Sequence, residues 1–297
     1  MLASAAMPPR IKLGLIQRPC SGSHAVEGAV KAVRAAAAQG ANLIVLPELY
    51  HAPYFCQTLD VEATQLAEPL DGPCIVSMAE VARDCAVVIA VPFFEHRAPG
   101  LNHNSMLVLG PDGGRLGHYR KMHIPDDPQF EEKFYFTPGD LGFSPVQTPY
   151  GKLGPLICWD QWFPEAARLQ ALAGAELLLY PTAIGWLESE KADHGIHQLD
   201  AWKTMQRSHA IANGVFVVAV NRVGHESVGD RSIEFWGHSF VCDPAGRVIA
   251  EAGEGEETLI VDIDLGAIAE QRKWWPFLRD RRIDAYQGLL SRYIDGK

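Results

Sequence analysis

Two stretches of this sequence, QGANLIVLPELY (39–50) and AGAELLLYPTAI (173–184), share a Gly-Ala pair, an apolar run and a proline. Gly40 and Gly174, and Pro47 and Pro181, are both 134 residues apart. The same spacing returns farther on, where SMLVLGPDGGRLG from Ser105 resembles SFVCDPAGRVIA from Ser239. A repeat of this length constrains the fold more than composition does, because whatever the first copy builds the second must build again. LGLIQ, ahead of the first helix, parallels LGPLICW in the second copy at a slightly different offset.

Each half alternates a short apolar strand, a helix, a strand, a second helix and a hairpin closed by a Pro/Asp/Gly turn. The helices are expected at GAVKAVRAAAAQG and IVSMAEVARDCA, then at PEAARLQALAGA and HQLDAWKTMQRSHAIANG. NLIVLP, VVIAVPFF and VFVVAV are continuously apolar, the pattern of strands buried on both faces. Two such halves pack most economically sheet against sheet, so the expected fold is α/β, a four-layer αββα sandwich. No Pro/Gly/Ser-rich linker occupies 140–152, which predicts one domain over 1–297 with halves at about 10–140 and 150–265 and a C-terminal tail. Two separate α/β domains are the alternative. The tail, RKWWPFLRDRRIDAYQGLL, carries aromatics and arginines suited to a subunit contact.

The formal net charge of −10, with no run of Lys or Arg, argues against nucleic acid or an anionic membrane as partner. The apolar runs are too short to span a bilayer, and MLASAAMPPR lacks the basic start and apolar core of a secretory signal, so a cytoplasmic location is expected. Six widely spaced cysteines without a C-x-x-C pair read as reduced thiols. GHES and HGIH do not complete a zinc motif, GEGEET and GKLG do not complete a nucleotide loop, and no G-x-S-x-G occurs. No metal or organic cofactor is expected.

Three reactive residues stand where apolar runs end. ANLIVLPE closes on Glu48, LGPLIC on Cys158, and Lys121 follows RLGHYR at the end of the first hairpin. Strand ends of α/β sheets are where side chains leave the core and meet helix N-termini. Taken singly, each has a plainer reading: a solvated carboxylate, an exposed lysine, a small buried thiol of the kind Cys74, Cys85 and Cys242 represent. Cys158 differs because Pro164 and Glu165 suit a first helical turn just after it, and a helix N-terminus favours a thiolate over the ordinary thiol pKa of about 8.5.

Together, LPELY, YRKMHIP and LICWDQWFPEAAR resemble the three signature blocks of the nitrilase superfamily of carbon-nitrogen hydrolases, in order and over roughly residues 10–290. The resemblance implies the αββα fold, a homo-oligomer (dimer or higher) and no cofactor. It also implies Glu48 as general base, Lys121 as stabilising cation and Cys158 as nucleophile. FEEKFYFTPGD further resembles the block of a second glutamate, which falls on Glu132. In related N-carbamoyl-D-amino-acid hydrolases paired arginines follow the cysteine to grip a carboxylate; here Gln161 and Trp162 stand instead. The wall expected around the site is acidic and aromatic, suited to a cation. It comprises Asp126, Asp127, Glu188, Glu190, Tyr54, Phe130, Trp159, Trp162 and Trp186, and Gln161, Thr182 and Ala183 are further substrate-binding candidates. The blocks resemble most the polyamine-pathway branch of the superfamily. That implies cleavage of a small carbamoylated amine, N-carbamoylputrescine, to putrescine, carbon dioxide and ammonia through a cysteine thioester. A related amidase or nitrilase, or a catalytically silent ligand-binding protein of this fold, are the alternatives.

Overall fold

The computed structural model describes residues 10–22 and 24–295, so all but the last residue of the stretch inspected for a secretory signal lies outside the described residues. The first half runs β1 (Ile11–Gln17), α1 (Ala25–Ala38), β2 (Leu43–Val45), α2 (Pro73–Cys85), β3 (Val88–Ala98), β4 (Leu101–Leu109) and β5 (Arg115–Arg120). After β6 (Val146–Thr148) the second half runs β7 (Gly151–Pro155), α3 (Pro164–Leu172), β8 (Leu177–Thr182), β9 (Gly185–Leu187), α4 (Glu188–Asn213), β10 (Phe216–Asn221), β11 (Val223–Val228), β12 (Arg231–Trp236), β13 (Phe240–Cys242) and β14 (Val248–Glu251). β15 (Glu257–Ile263) and α5 (Gly266–Trp274) follow. Pro73 and Pro164 open α2 and α3, positions where the missing N–H costs nothing.

The repeat is drawn out strand for strand. One sheet has the order β15-β1-β2-β3-β4-β5 and the other β6-β7-β8-β10-β13-β14. In each, three parallel strands are followed by two antiparallel ones, and an antiparallel edge strand completes the other side. The edge strands are exchanged: β6, which follows the first half, pairs in the second sheet, and β15, which follows the second half, pairs in the first.

Alternation along the strands sorts the core into layers. Leu13, Leu15, Leu43, Val45, Val88 and Ala90 face the other sheet, in one cluster with Leu153, Leu177, Leu179 and Val218. Ile16, Ile44, Ile89 and Val91 face the opposite way, onto Ala29 and Val33 of α1 and Met78 of α2. On the far side Ala166, Ala171, Trp202 and Ala210 bring α3 and α4 onto the second sheet. The result is the four-layer αββα sandwich that the repeat implies.

Two features differ from the sequence reading. α4 begins at Glu188 rather than at His197, so GWLESE is a short strand running into a helix and not a loop. A third sheet, β11-β12-β9, lies outside the repeat; β12 pairs with both its neighbours, and this small sheet forms one side of the cavity described next. Among the described residues no helix is long and apolar enough to cross a membrane.

Candidate active site

β2 ends at Val45 and β7 at Pro155, and Glu48 and Cys158 each come three positions later, in the turn that follows. Both turns hold a non-glycine residue in the left-handed region, Leu49 at φ 49° and Cys158 at φ 41°. Such backbone is costly and persists only where its surroundings fix it. At the first turn the fixing group is Arg222, fully buried, whose Nη2 donates to the carbonyls of Glu48 (3.0 Å), Leu49 (2.8 Å) and Ala52 (3.1 Å). Its Nη1 donates to Glu226 Oε1 at 2.9 Å, while Glu226 Oε2 accepts from the Tyr54 N–H at 2.6 Å. The sequence reading weighed GHES only as an incomplete zinc motif and did not single out Arg222.

Lys121 emerges from β5 with no solvent exposure, between two carboxylates that are buried as completely. Its Nζ donates to Glu48 Oε1 at 2.8 Å and to Glu132 Oε2 at 2.6 Å. Asn104 Nδ2 also donates to Glu48 Oε1 (2.7 Å), and the Tyr54 hydroxyl donates to Glu132 Oε1 (2.7 Å). Glu48 Oε2 is buried and has no hydrogen-bond partner among the described residues, so one acceptor of this network is left open. Glu131, beside Glu132, points elsewhere and pairs with Arg231 at 2.7 Å.

Burial raises the Glu132 carboxyl to about 7; the Lys121 ammonium opposes this rise and the Glu48 charge adds to it. Burial alone would lower Lys121, but the flanking charges of Glu132 and Glu48 outweigh it and hold the ammonium well above the usual lysine range. Cys158 corrects the expectation of a stabilised thiolate. Burial and the Glu48 charge push its thiol well above the ordinary value, against Lys121 and the Ala183 backbone, which pull it down. The physical reason is local. A five-residue 3-10 turn, Cys158–Trp162, separates the sulfur from α3, and a helix dipole acts only within its first turn. Burial thus favours the neutral thiol at this position.

Cys158 and Glu132 open onto a cavity of about 440 Å3. Its wall also includes Asp127, Phe130, Trp159, Trp162, Ala183, Glu190, Gln198 and Trp236. Gln198 Nε2 donates to Glu190 at 2.8 Å and fixes that carboxylate. Gly185 brings β9 against β12 where a Cβ would collide with the Glu234 carbonyl, which seats Trp236 at the wall. No lysine or arginine is among the lining residues.

Of the twelve candidates expected from sequence, Asp127, Phe130, Trp159, Trp162, Ala183 and Glu190 line this cavity, and six do not. Tyr54 lies behind it, its ring 5.6 Å from that of Phe130 and its hydroxyl on Glu132. Gln161 is turned into the core, where its Oε1 accepts from Trp202 (2.6 Å) and Gln206 (2.9 Å), because a side chain on this turn faces α4. Thr182 is buried on β8 with its hydroxyl on the Tyr180 carbonyl. Asp126 faces solvent 3.9 Å from Lys133, and its neighbour Asp127 lines the cavity. Glu188 borders a separate surface depression with Gln129 and Asp230; starting α4 at Glu188 puts Glu190, two positions on, at the wall. Trp186, also expected in the wall, is buried against Trp236 and is not among the cavity's lining residues. Among the described residues no group of His, Cys, Asp and Glu is arranged to hold a metal ion.

Residues 2–273 match the family model described as carbon-nitrogen hydrolase. An N-carbamoylputrescine amidase of Solanum tuberosum is 48% identical over 277 residues, covering 91% of this chain and 90% of the relative. A citrullinase of Francisella tularensis is 41% identical over 260 residues, 87% of this chain and 90% of that one. The crystal structure of a carbon-nitrogen hydrolase from Helicobacter pylori G27 superposes with a TM-score of 0.94 at 47% identity, covering 96% of this chain and all of the other.

Proposed function

This chain belongs to the carbon-nitrogen hydrolase family, and we propose that within it Cys158, Glu48 and Lys121 are the nucleophile, general base and stabilising cation of an N-carbamoylputrescine amidase. The enzyme hydrolyses the ureido C–N bond of N-carbamoylputrescine and yields putrescine, carbon dioxide and ammonia. Glu48 takes the thiol proton through its open Oε2, so that sulfur attacks the ureido carbon as an anion. Lys121 and the backbone N–H of Trp159 carry the charge that develops on the ureido oxygen, an interaction worth about 3 kcal/mol per donor in acyl transfer. Collapse of the adduct breaks a C–N bond, and the proton held by Glu48 goes to the nitrogen that leaves. A thioester-level carbamoyl group stays on sulfur. Water, deprotonated by the same glutamate, then attacks that carbon, the C–S bond breaks, the glutamate's proton restores the thiol, and the carbamic acid released breaks its remaining C–N bond to give carbon dioxide and the second nitrogen product. Glu132 orients Lys121 from its other side.

The observation that carries the substrate assignment is the cavity wall. Beyond the reacting groups it offers two carboxylates, Asp127 and Glu190, the rings of Phe130, Trp159, Trp162 and Trp236, and no cation to receive a substrate carboxylate. A distal ammonium is stabilised there by charge and by ring faces, whereas a distal carboxylate is repelled. The same reading treats residues 1–297 as one duplicated hydrolase domain, supported by the exchanged edge strands and the core common to both sheets. It makes the protein a cytoplasmic homo-oligomer of two or more copies, which the exposed Trp274, Trp275 and Phe277 beyond the repeat suit.

The test is a comparison of kcat/KM for N-carbamoylputrescine, citrulline and an N-carbamoyl amino acid on the pure protein. We expect N-carbamoylputrescine to lead. A lead for citrulline or the carbamoyl amino acid would overturn the substrate and leave the hydrolase standing; no turnover of any of them, with Cys158 inert to iodoacetamide, would overturn the enzyme.

A further inference from the structure

Cys158 and Lys121 arrive from different halves of the chain, and one carboxylate is bonded to the segments that carry both. Asp160 is fully buried. Its Oδ2 accepts from the Tyr119 hydroxyl at 2.7 Å and from the Ile157 N–H at 2.9 Å. Its Oδ1 accepts from the His123 N–H at 3.0 Å and from His123 Nδ1 at 2.8 Å. Tyr119 and His123 flank Lys121 two residues to either side, and Ile157 immediately precedes Cys158. We propose that Asp160 is a positioning residue that fixes the Cys158 sulfur against the Lys121 ammonium; this rests on the roles given to those two groups above.

Four donors converge on Asp160, and a carboxylate is the one common side chain that presents acceptors on both oxygens and no donor. Two of the four are backbone N–H groups, which cannot turn round. An amide in this place must therefore aim its NH2 at one of them, and loosens either the cysteine turn or the lysine segment. The left-handed φ of 41° at Cys158 is a conformation that such an anchor maintains. A second bond joins the same segments, since the His123 ring stacks on Phe163, at the end of the cysteine turn, with centroids 3.8 Å apart and planes within 6°.

The experiment compares Asp160→Asn with Asp243→Asn. Asp243 likewise accepts two backbone N–H groups, those of Ala245 and Arg247, but in the β13–β14 turn and outside the cavity wall. Each variant is assayed for kcat and KM with N-carbamoylputrescine, for the pH profile of Cys158 alkylation by iodoacetamide against a Cys158→Ala blank, and for thermal midpoint. Misplacing a reacting group by about 1 Å can cost about 100-fold, so Asp160→Asn is expected to lose kcat on that order with KM nearly unchanged. Its alkylation profile should move to higher pH as Lys121 drifts from the sulfur. Asp243→Asn should lower the midpoint alone. Tyr119→Phe removes one of the four bonds while keeping the ring, and should lose about fivefold in kcat in the same pattern. An unshifted alkylation profile with kcat near that of the unaltered protein, in whichever of Asp160→Asn and Tyr119→Phe folds, would overturn the proposal, as would an equal kcat loss in Asp243→Asn. The alkylation arm needs no substrate. Inert Cys158 in the unaltered protein would instead refute the hydrolase reading on which the proposal stands.

Discussion

The two halves of this chain share a strand order, yet they end their equivalent strands on opposite kinds of chemistry. In the first half β2 leads to Glu48; 134 residues later the matching strand, β8, ends on Thr182, whose hydroxyl is satisfied by the Tyr180 carbonyl. In the second half β7 leads to Cys158, while its counterpart β1 ends on Gln17. The Gln17 amide donates to the carbonyls of Gly253 (2.7 Å) and Gly255 (2.6 Å) and accepts from the Ser239 N–H (2.8 Å). Asn221, at the end of β10, is bonded just as fully, to the Ile184 and Gly237 carbonyls and the Ile184 N–H. The satisfied ends are structural. The others carry left-handed backbone, an open carboxylate oxygen and a thiol whose pKa burial raises. A duplicated fold thus offers the same positions twice, and the roles proposed for Glu48 and Cys158 place the chemistry where local satisfaction is withheld.

That contrast is broken most directly at its two extremes. Cys158→Ala should remove nearly all turnover, on the order of 10^5-fold or more as for nucleophile deletions in serine proteases, with little change in stability. Gln17→Ala should do the reverse. Three buried hydrogen bonds lost, with donors and acceptors stranded, amounts to about 3 kcal/mol, read as a lower urea midpoint with kcat per folded molecule unchanged. If Gln17→Ala instead lost activity while keeping its midpoint, the division into satisfied and reactive ends would be wrong. Next in size is Glu48→Gln, which keeps the shape and removes the base. General-base deletion costs about 10^2 to 10^4 in kcat, and iodoacetamide alkylation of Cys158 should slow with it.

A smaller effect sharpens the comparison through pH. Glu132 faces Lys121, Glu48 and the Tyr54 hydroxyl, and burial raises it from 4.5 to about 7. Between those values the folded chain keeps a proton that the unfolded chain has released. The stability from that proton is complete below pH 4.5 and fades as pH rises through about 7. Activity should run the other way, climbing through about pH 7 as Glu132 ionises and Lys121 gains its second anionic partner. Glu132→Gln should flatten both profiles, and a rising limb near pH 7 that survives in the variant would assign the titration to another group.

The sequence made some of this visible and hid the rest for identifiable reasons. Glu48, Lys121 and Cys158 stood out at the ends of apolar runs but were drawn together only by the resemblance of their three blocks to the nitrilase superfamily, and Glu132 was legible from the resemblance of FEEKFYFTPGD alone. Asp160 was not, since an acid in CWDQW looks like a helix start in solvent, and only the fold brings Tyr119 and His123 to it. Arg222 and Glu226 were hidden for the same reason: their partners lie about 170 residues away in sequence. Gln161 was misassigned by proximity. Standing three places after Cys158 says nothing about which way a side chain on a 3-10 turn points. α4 was begun late because ESEKADHG is polar enough to pass for a loop, although among its residues only Gly195 is buried.

The smallest predicted effect tests the acidic wall, where two neighbouring pairs give opposite expectations. Asp127 and Glu190 line the cavity; Asp126 and Glu188, one and two residues away, do not. A distal ammonium that loses one charged hydrogen-bond partner forfeits about 1.5–3 kcal/mol, and 1.4 kcal/mol corresponds to tenfold. Solvent at the mouth screens part of that, so Asp127→Asn and Glu190→Gln should each raise KM for N-carbamoylputrescine about tenfold. Neither carboxylate touches the ureido group in this reading, so kcat should hold. Asp126→Asn and Glu188→Gln should leave KM within about twofold, as exposed charges do. Gln198→Ala adds a finer step. It frees Glu190 without removing its charge, and should raise KM by less than Glu190→Gln does. Equal effects from the lining and non-lining pairs would mean that the whole acidic rim attracts the cation from a distance, and added salt would then erase both differences together.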